Sequence, residues 1–242
     1  MKFYAVTLLG RRRLGAYTVL DYRWPEPVEP GQFVMARLNG YPVTLDPFLA
    51  RPFSFYDHDG EVASLLFEVR GRGTALLDRA ARRIEVTAPL GQGFRIEAGP
   101  AALVGGGIGI APMKILSRRL DTLGIPHDVY LGFADAAMAE AARAFPGATV
   151  ATVDGSLGTR GTVLDAAPDL ARYPAVYACG PNPMLAAVKL AAGAGRVRQL
   201  SVEERMGCGN GSCNGCVVPV AGRGYVRSCV EGPVFDAEAL AW

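Results

Sequence analysis

Four of the chain's five cysteines fall between Cys208 and Cys229, in MGCGNGSCNGCVVPVAGRGYVRSC, with the spacing C-x4-C-x2-C-x12-C. Four thiols this close could form disulfides, hold zinc, ligate an iron–sulfur cluster or pack inertly. Three near cysteines, Cys208, Cys213 and Cys216, followed by a more distant fourth, Cys229, make a relative of the plant-type [2Fe–2S] pattern, with a shorter final interval. Structural zinc generally uses paired C-x2-C knuckles, and this stretch has one. Gly207, Gly209, Gly211 and Gly215 would let the loop turn with positive φ and bring N–H groups to the sulfurs. The fourth cysteine would arrive from the far side of a short hairpin.

Two glycine turns carry a second kind of chemistry. LVGGGIGIAPMKIL places Gly105, Gly106, Gly107 and Gly109 between a strand and a helix. There a backbone can approach a pyrophosphate, and the helix start offers unpaired N–H groups to it. Pro112 suits the first helical turn. After the next strand, GFADAAMAE has no Arg or Lys for a 2′-phosphate, and Asp135 and Glu140 are acidic, which favours NAD over NADP. YACGPNPM puts Cys179, Gly180 and Pro181 at the carboxyl edge of a strand. Cys179 reads either as a small core residue or as part of a nicotinamide pocket.

The second turn is EVRGRGTALL, where Gly73 and Thr74 open a helix. Shortly before it, ARPFSFYD offers Arg51 for a pyrophosphate and Ser54 for a flavin ring nitrogen. Phe53, Phe55 and Tyr56 fit the alternation of a strand equally well. Two phosphate cradles in differently built halves suggest two nucleotides, a flavin held by one half and a nicotinamide presented by the other.

The elements that must position these residues change character along the chain. Up to about Phe94, runs such as KFYAVTLLG, GAYTVLDYRW, GQFVMARL and VASLLFEVR are apolar, β-branched and aromatic between Gly and Pro signals, which predicts an antiparallel barrel or sandwich. From Ala101, strands alternate with helices, which predicts a doubly wound parallel sheet. The last forty or so residues break that rhythm. The expected organisation is residues 1–97, 98–200 and 201–242: a β domain, an α/β domain and a small cysteine module.

The bulk figures bound the partners. The 242 residues carry a formal charge of +2, which gives no reason to expect nucleic acid. The runs Arg11-Arg12-Arg13 and Arg82-Arg83 read as solvated turns, and His58 and His127 as surface residues. The amino terminus lacks a signal-peptide pattern, and the longest apolar stretch is too short and glycine-rich to span a membrane. A cytoplasmic protein is expected, where thiols stay reduced and clustered cysteines bind metal more often than they pair.

RPFS followed by GxGT, then GGGIGIAP and ACGPNPM, resembles the ferredoxin-reductase superfamily of FAD enzymes. With EERMGCGNGSCNGC, PGQF and DPFLARPFS added, nearly the whole chain is similar to the electron-transfer subunits of NAD-dependent dihydroorotate dehydrogenases. That resemblance implies a flavin β-barrel with FAD at Arg51, Pro52, Phe53, Ser54, Leu66, Phe67, Glu68, Gly73 and Thr74. It implies a [2Fe–2S] cluster on Cys208, Cys213, Cys216 and Cys229. It also implies a partner, the FMN-containing catalytic subunit, in a heterotetramer of two of each. The chemical order would be NAD, FAD, [2Fe–2S], with cofactors doing the redox work and no catalytic acid–base residue needed. Glu203 and Glu204 read as solvated or hydrogen-bonding residues leading into the cysteines. A (β/α)8 barrel for dihydroorotate would need about 250 further residues. The nearest alternatives are the same wiring serving another acceptor, as in ferredoxin–NAD(P) or oxygenase reductases, a cluster-bearing redox sensor, and a zinc-stapled binding module. The apolar tail PVFDAEALAW could form part of an interface or pack on its own fold.

Overall fold

The computed structural model describes residues 1–38, 47–80 and 82–242. Asp46 of the DPFLARPFS motif and Ala81 of the first helical run lie outside the described residues. The apolar runs of the first third form β1 (Phe3–Leu14), β2 (Tyr17–Arg23), β3 (Phe33–Leu38), β4 (Arg51–His58) and β5 (Val62–Glu68). Helix α1 (Arg72–Arg79) and β6 (Arg83–Thr87) follow. The strands close into an antiparallel barrel in the order β1-β2-β5-β4-β3-β6, so the barrel alternative is the one the chain adopts.

The arginine run does not form the turn expected of it. Arg11, Arg12 and Arg13 continue β1, and the hairpin reverses at Gly15, whose φ of 59° suits glycine. The reason is local pairing. Arg12 meets Asp21 on β2, and Arg13 reaches Asp78 on α1 at 2.7 Å.

Alternation along β3 gives that strand two jobs. Val34 and Ala36 point into the barrel core with Phe55, Leu65, Phe67 and Ile84. Phe33 and Met35 point the other way and are just as buried, at 2% and 0% exposure, because the cysteine region covers them. A strand apolar on both faces needs cover on both.

The second half holds β7 (Ala101–Gly106), α2 (Ile110–Thr122), β8 (His127–Phe133), α3 (Ala136–Ala139), β9 (Thr149–Thr152), β10 (Thr159–Arg160) and α4 (Val163–Ala166). It continues with β11 (Ala175–Gly180), α5 (Asn182–Ala191) and β12 (Val197–Val202). The sheet order is β10-β9-β8-β7-β11-β12, parallel throughout, with one antiparallel strand, Val234–Asp236, added beside β12. That order places the β7 and β11 carboxyl ends side by side, the edge at which such sheets hold ligands. Helix α2 joins the two halves: Leu116 packs into the sheet's core while Ile115 reaches the barrel's.

After the cysteine loop come β13 (Val217–Val220), β14 (Gly224–Arg227), α6 (Ser228–Glu231) and β15 (Val234–Asp236). β13 and β14 form a hairpin whose inner residues Val218, Val220 and Val226 join the sheet's core. β15 pairs antiparallel with β12, and Phe235, Ala237 and Leu240 bury against the same core. The apolar tail therefore packs on its own fold. Lys189 donates to the Leu240 and Trp242 carbonyl oxygens and holds it there. No helix among the described residues is long and apolar enough to cross a membrane.

Candidate redox site

The cysteine loop turns on fewer glycines than its sequence suggests. Gly209 (φ 70°) and Gly211 (φ 81°) are left-handed, and Asn214 (φ 54°) supplies the third such position. Gly207 and Gly215 are not left-handed. A Cβ on either would contact the Cys213 sulfur at 3.6 or 3.5 Å, so they keep side chains away from it. The loop folds its amides onto sulfur as expected: Cys213 N–H points to Cys208 Sγ at 3.4 Å, and Gly215 N–H to Cys213 Sγ at 3.4 Å. Arg227 donates to the Gly211 carbonyl at 3.3 Å and pairs with Glu231 at 2.6 Å, tying the loop to α6.

Cys208 and Cys213 interact through their side chains, as do Cys216 and Cys229, and the Cys208 charge also reaches Cys229. Burial acts to raise Cys208, but the amides of Asn210, Cys213 and Ser212 more than offset it and bring the thiol down to about 6. Burial and the adjoining Cys216 thiol push Cys229 up to about 12. Cys216 and Cys229 are buried against Phe33 and Met35, while Cys213 is exposed. Among the described residues no three His, Cys, Asp or Glu side chains gather to hold one metal ion. Four cysteines in one loop and the helix start after it, with amides aimed at their sulfurs, fit the thiolate ligation of an iron–sulfur cluster. His58 and His127 do not join them, nor are they free surface residues. His58 Nε2 lies 3.0 Å from the Trp24 carbonyl oxygen, and His127 Nε2 lies 2.8 Å from Ser117 Oγ.

A cleft of about 200 Å³ gathers residues from all three parts of the chain: Ser54 and Leu66 from the barrel, Gly109 and Cys179 from the sheet, Glu203 and Met206 from the lead into the cysteines. Pro52 and Phe53 line it too. Phe67 instead packs in the barrel core against Phe53, with ring centroids 5.3 Å apart, and Glu68 sits on the rim, paired with Arg70 at 2.7 Å. Arg51 lies over Gly73, where a Cβ would come within 2.3 Å of its Nε. Thr74 Oγ1 accepts from the amides of Arg70 and Gly71 at 3.0 and 3.1 Å, shaping the start of α1. These residues put a guanidinium beside a helix start, a fit for a diphosphate.

On the sheet side, Gly107 turns with φ 55° into open space, leaving room for a ligand backbone to pass. Gly105 is tight against Leu131 and Ile110, and Gly106 against Met184. Gly180 and Pro181 carry the chain from β11 into α5. Cys179 is buried and also lines the cleft. Burial pushes its thiol up, the Glu203 charge adds to this, and the Ser201 hydroxyl opposes. Asp135 caps α3 through the Met138 amide at 3.0 Å, and Glu140 pairs with Arg143 at 2.9 Å.

Glu203 is exposed and Glu204 is hydrogen-bonded, the two placements the sequence reading allows. Both line the cleft, and Asn182 Nδ2 donates to Glu204 at 3.4 Å. Solvent reaches Glu203, yet the protein crowding its other sides pushes its carboxyl up, with Arg70 opposing. Phe33 was missed altogether, although its alternation with Val34 on an apolar strand is readable once something is known to cover the outer face.

A family model for the iron–sulfur cluster binding domain of dihydroorotate dehydrogenase B matches residues 203–241. The Bacillus velezensis dihydroorotate dehydrogenase B (NAD(+)) electron transfer subunit is 40% identical over 227 residues, covering 88% of this chain and 87% of that one. The chain belongs to this family. The corresponding subunit of Caldanaerobacter subterraneus is 36% identical and is matched over 99% of this chain and 98% of its own. Among solved structures, an NADH-dependent reduced ferredoxin–NADP oxidoreductase superposes with a TM-score of 0.83 at 27% identity, over 98% of this chain and 90% of that one. Phthalate dioxygenase reductase matches with a TM-score of 0.65 at 15% identity, over 98% and 96%, a likeness of fold.

Proposed function

We propose that this chain passes electrons between a partner dihydroorotate dehydrogenase subunit and NAD+, by way of a [2Fe–2S] cluster and FAD, in pyrimidine biosynthesis. The observation that carries this reading is the single cleft that borders the barrel, the β7 and β11 strand ends and the approach to the four cysteines. When bound, the flavin supplies the exchange between a two-electron nicotinamide and a one-electron cluster.

The chain's own residues do the holding. Arg51, Gly73 and Thr74 receive the FAD diphosphate, while Pro52, Phe53, Ser54 and Leu66 wall its ring. Phe67 and Glu68 support that wall from the barrel core and rim. Gly105, Gly106, Gly107 and Gly109 form the nicotinamide dinucleotide turn, and Cys179, Gly180 and Pro181 close the pocket where the reactive ring lies. Cys208, Cys213, Cys216 and Cys229 would together hold the [2Fe–2S] cluster. This divides the work into residues 1–97 for FAD, 98–200 for NAD and 201–242 for the cluster.

The partner is an FMN-bearing catalytic subunit, two copies of each in a cytoplasmic complex. It docks over the exposed Cys213 and the outer hairpin face, where Val217 and Tyr225 are 38% and 73% exposed. Exposed apolar groups beside a redox centre suit a docking surface.

The test is to tag the chain in its native cell, recover it without oxygen and assay orotate-dependent NADH oxidation. Activity together with a second flavin-bearing polypeptide supports the reading. NADH-driven dye reduction with no response to orotate would keep the wiring and overturn the dihydroorotate assignment.

A further inference from the structure

Phe33 belongs to two neighbourhoods at once. Its side chain packs with Met35 against Cys216 and Cys229, and it also lines the cleft. Strand register explains how. Phe33 sits directly opposite Ser54 across β3 and β4, so one cross-strand neighbour separates the cleft hydroxyl from the cover of the thiols. The Phe33 backbone is fixed on its other side, where its N–H and C=O both pair with Leu90, at 3.1 and 2.8 Å. Left-handed Gly91 passes so close that a Cβ there would lie 2.9 Å from Phe33 Cε1. Met206, on the approach to the cysteines, also borders both regions. Met35 touches the thiol region but lines no part of the cleft.

We propose that Phe33, with Met206, is the positioning wall between the flavin cleft and the cysteine centre, a dry contact that fixes their separation and governs electron exchange across it. This rests on the function proposed above. The apolar shell of a metal centre controls water access and local dielectric, and through them its potential. A close-packed ring offers continuous atoms where a gap would offer a void or a water molecule. With both groups bound, the wall would be crossed by one electron at a time, and the second flavin electron would follow only after the partner subunit, or an added dye, had taken the first from the cluster.

The experiment compares wild type with Phe33→Ala, Phe33→Leu and Met35→Ala in the flavin- and iron-loaded protein, normalised to FAD and iron content. Rapid anaerobic mixing with NADH follows flavin bleaching by absorbance and cluster reduction by freeze-quench electron paramagnetic resonance. A separate titration gives the cluster's midpoint potential. Phe33→Ala is expected to slow cluster reduction relative to flavin bleaching by about tenfold and to shift the midpoint potential. Phe33→Leu, which refills much of the space, should recover most of the ratio, and Met35→Ala, which opens the thiol cover but not the cleft, should lose clearly less of it than Phe33→Ala. An unchanged ratio in Phe33→Ala overturns the wall, as does an equal loss in Met35→Ala, which would make thiol packing sufficient. If NADH never reduces the wild-type cluster, the proposed function falls and the wall with it, an outcome distinct from the other two.

Discussion

Gly109 lies directly beneath the Cys179 carbonyl: a Cβ added to Gly109 would sit 2.2 Å from that oxygen and 2.5 Å from its carbon. The glycine turn of β7 and the end of β11 are thereby locked together at the floor of the cleft. The obstacle is backbone, which cannot swing aside as a side chain can. Gly109→Ala should therefore force β7 and β11 apart, costing about 1–3 kcal/mol of stability. It should also weaken NADH binding more than FAD binding. Thermal unfolding and NADH titration of the flavin-loaded protein read both effects.

The five cysteines should divide four to one. Ser replacement of Cys208, Cys213, Cys216 or Cys229 should take bound iron from about two per chain to nearly none. Cys179→Ala should leave iron unchanged, because Cys179 faces the cleft from β11. Iron analysis of anaerobically prepared variants decides it.

Arg51→Ala should loosen FAD by about 1.5–3 kcal/mol, the usual scale for a charged hydrogen bond, or about tenfold to a hundredfold in affinity. The flavin fluorescence released on dilution measures this.

The Glu203 carboxyl is raised in the folded chain by burial, with Arg70 opposing. Between the unfolded carboxylate value and this raised value, the folded state holds more protons than the unfolded one. Stability must therefore fall as pH rises through that window, and be unaffected by this group below it. Glu203→Gln removes the dependence, so its unfolding midpoint should pull ahead of wild type as pH rises and match it in acid. Denaturant melts across the acidic range test the sign.

Tyr225→Asp should weaken partner binding by about 2 kcal/mol, the scale of an aromatic anchor at an interface. Bound flavin and iron should stay in place. Quantitative co-purification of the second subunit checks it.

What the sequence made legible follows its physics. Spacing in C-x4-C-x2-C and the strand–glycine–helix grammar of residues 101–122 are local signals, and both appear in the structure. The features that the sequence reading omits or takes otherwise depend on distant partners. Strand β12 looks too polar in RVRQLSV, yet Gln199 bonds the Arg95 backbone on both sides and Arg198 reaches the Lys189 carbonyl and Glu238. Arg11 to Arg13 looked like a solvated turn because Asp21 and Asp78, which hold them in β1, come from elsewhere in the chain. Asn214 carries no glycine signal for its left-handed turn, and Phe33 shows its second contact only when the cysteine loop is laid over β3.

The central claim is that one chain connects a nicotinamide to the four-cysteine centre through a flavin. Anaerobic titration of the iron- and FAD-loaded protein with NADH, followed together by absorbance and electron paramagnetic resonance, tests it most directly. The account predicts that flavin bleaching is accompanied by the paramagnetic signal of a reduced [2Fe–2S] cluster, and that both reverse on reoxidation. Bleaching with no cluster signal in iron-replete protein, or no bleaching at all, would contradict it.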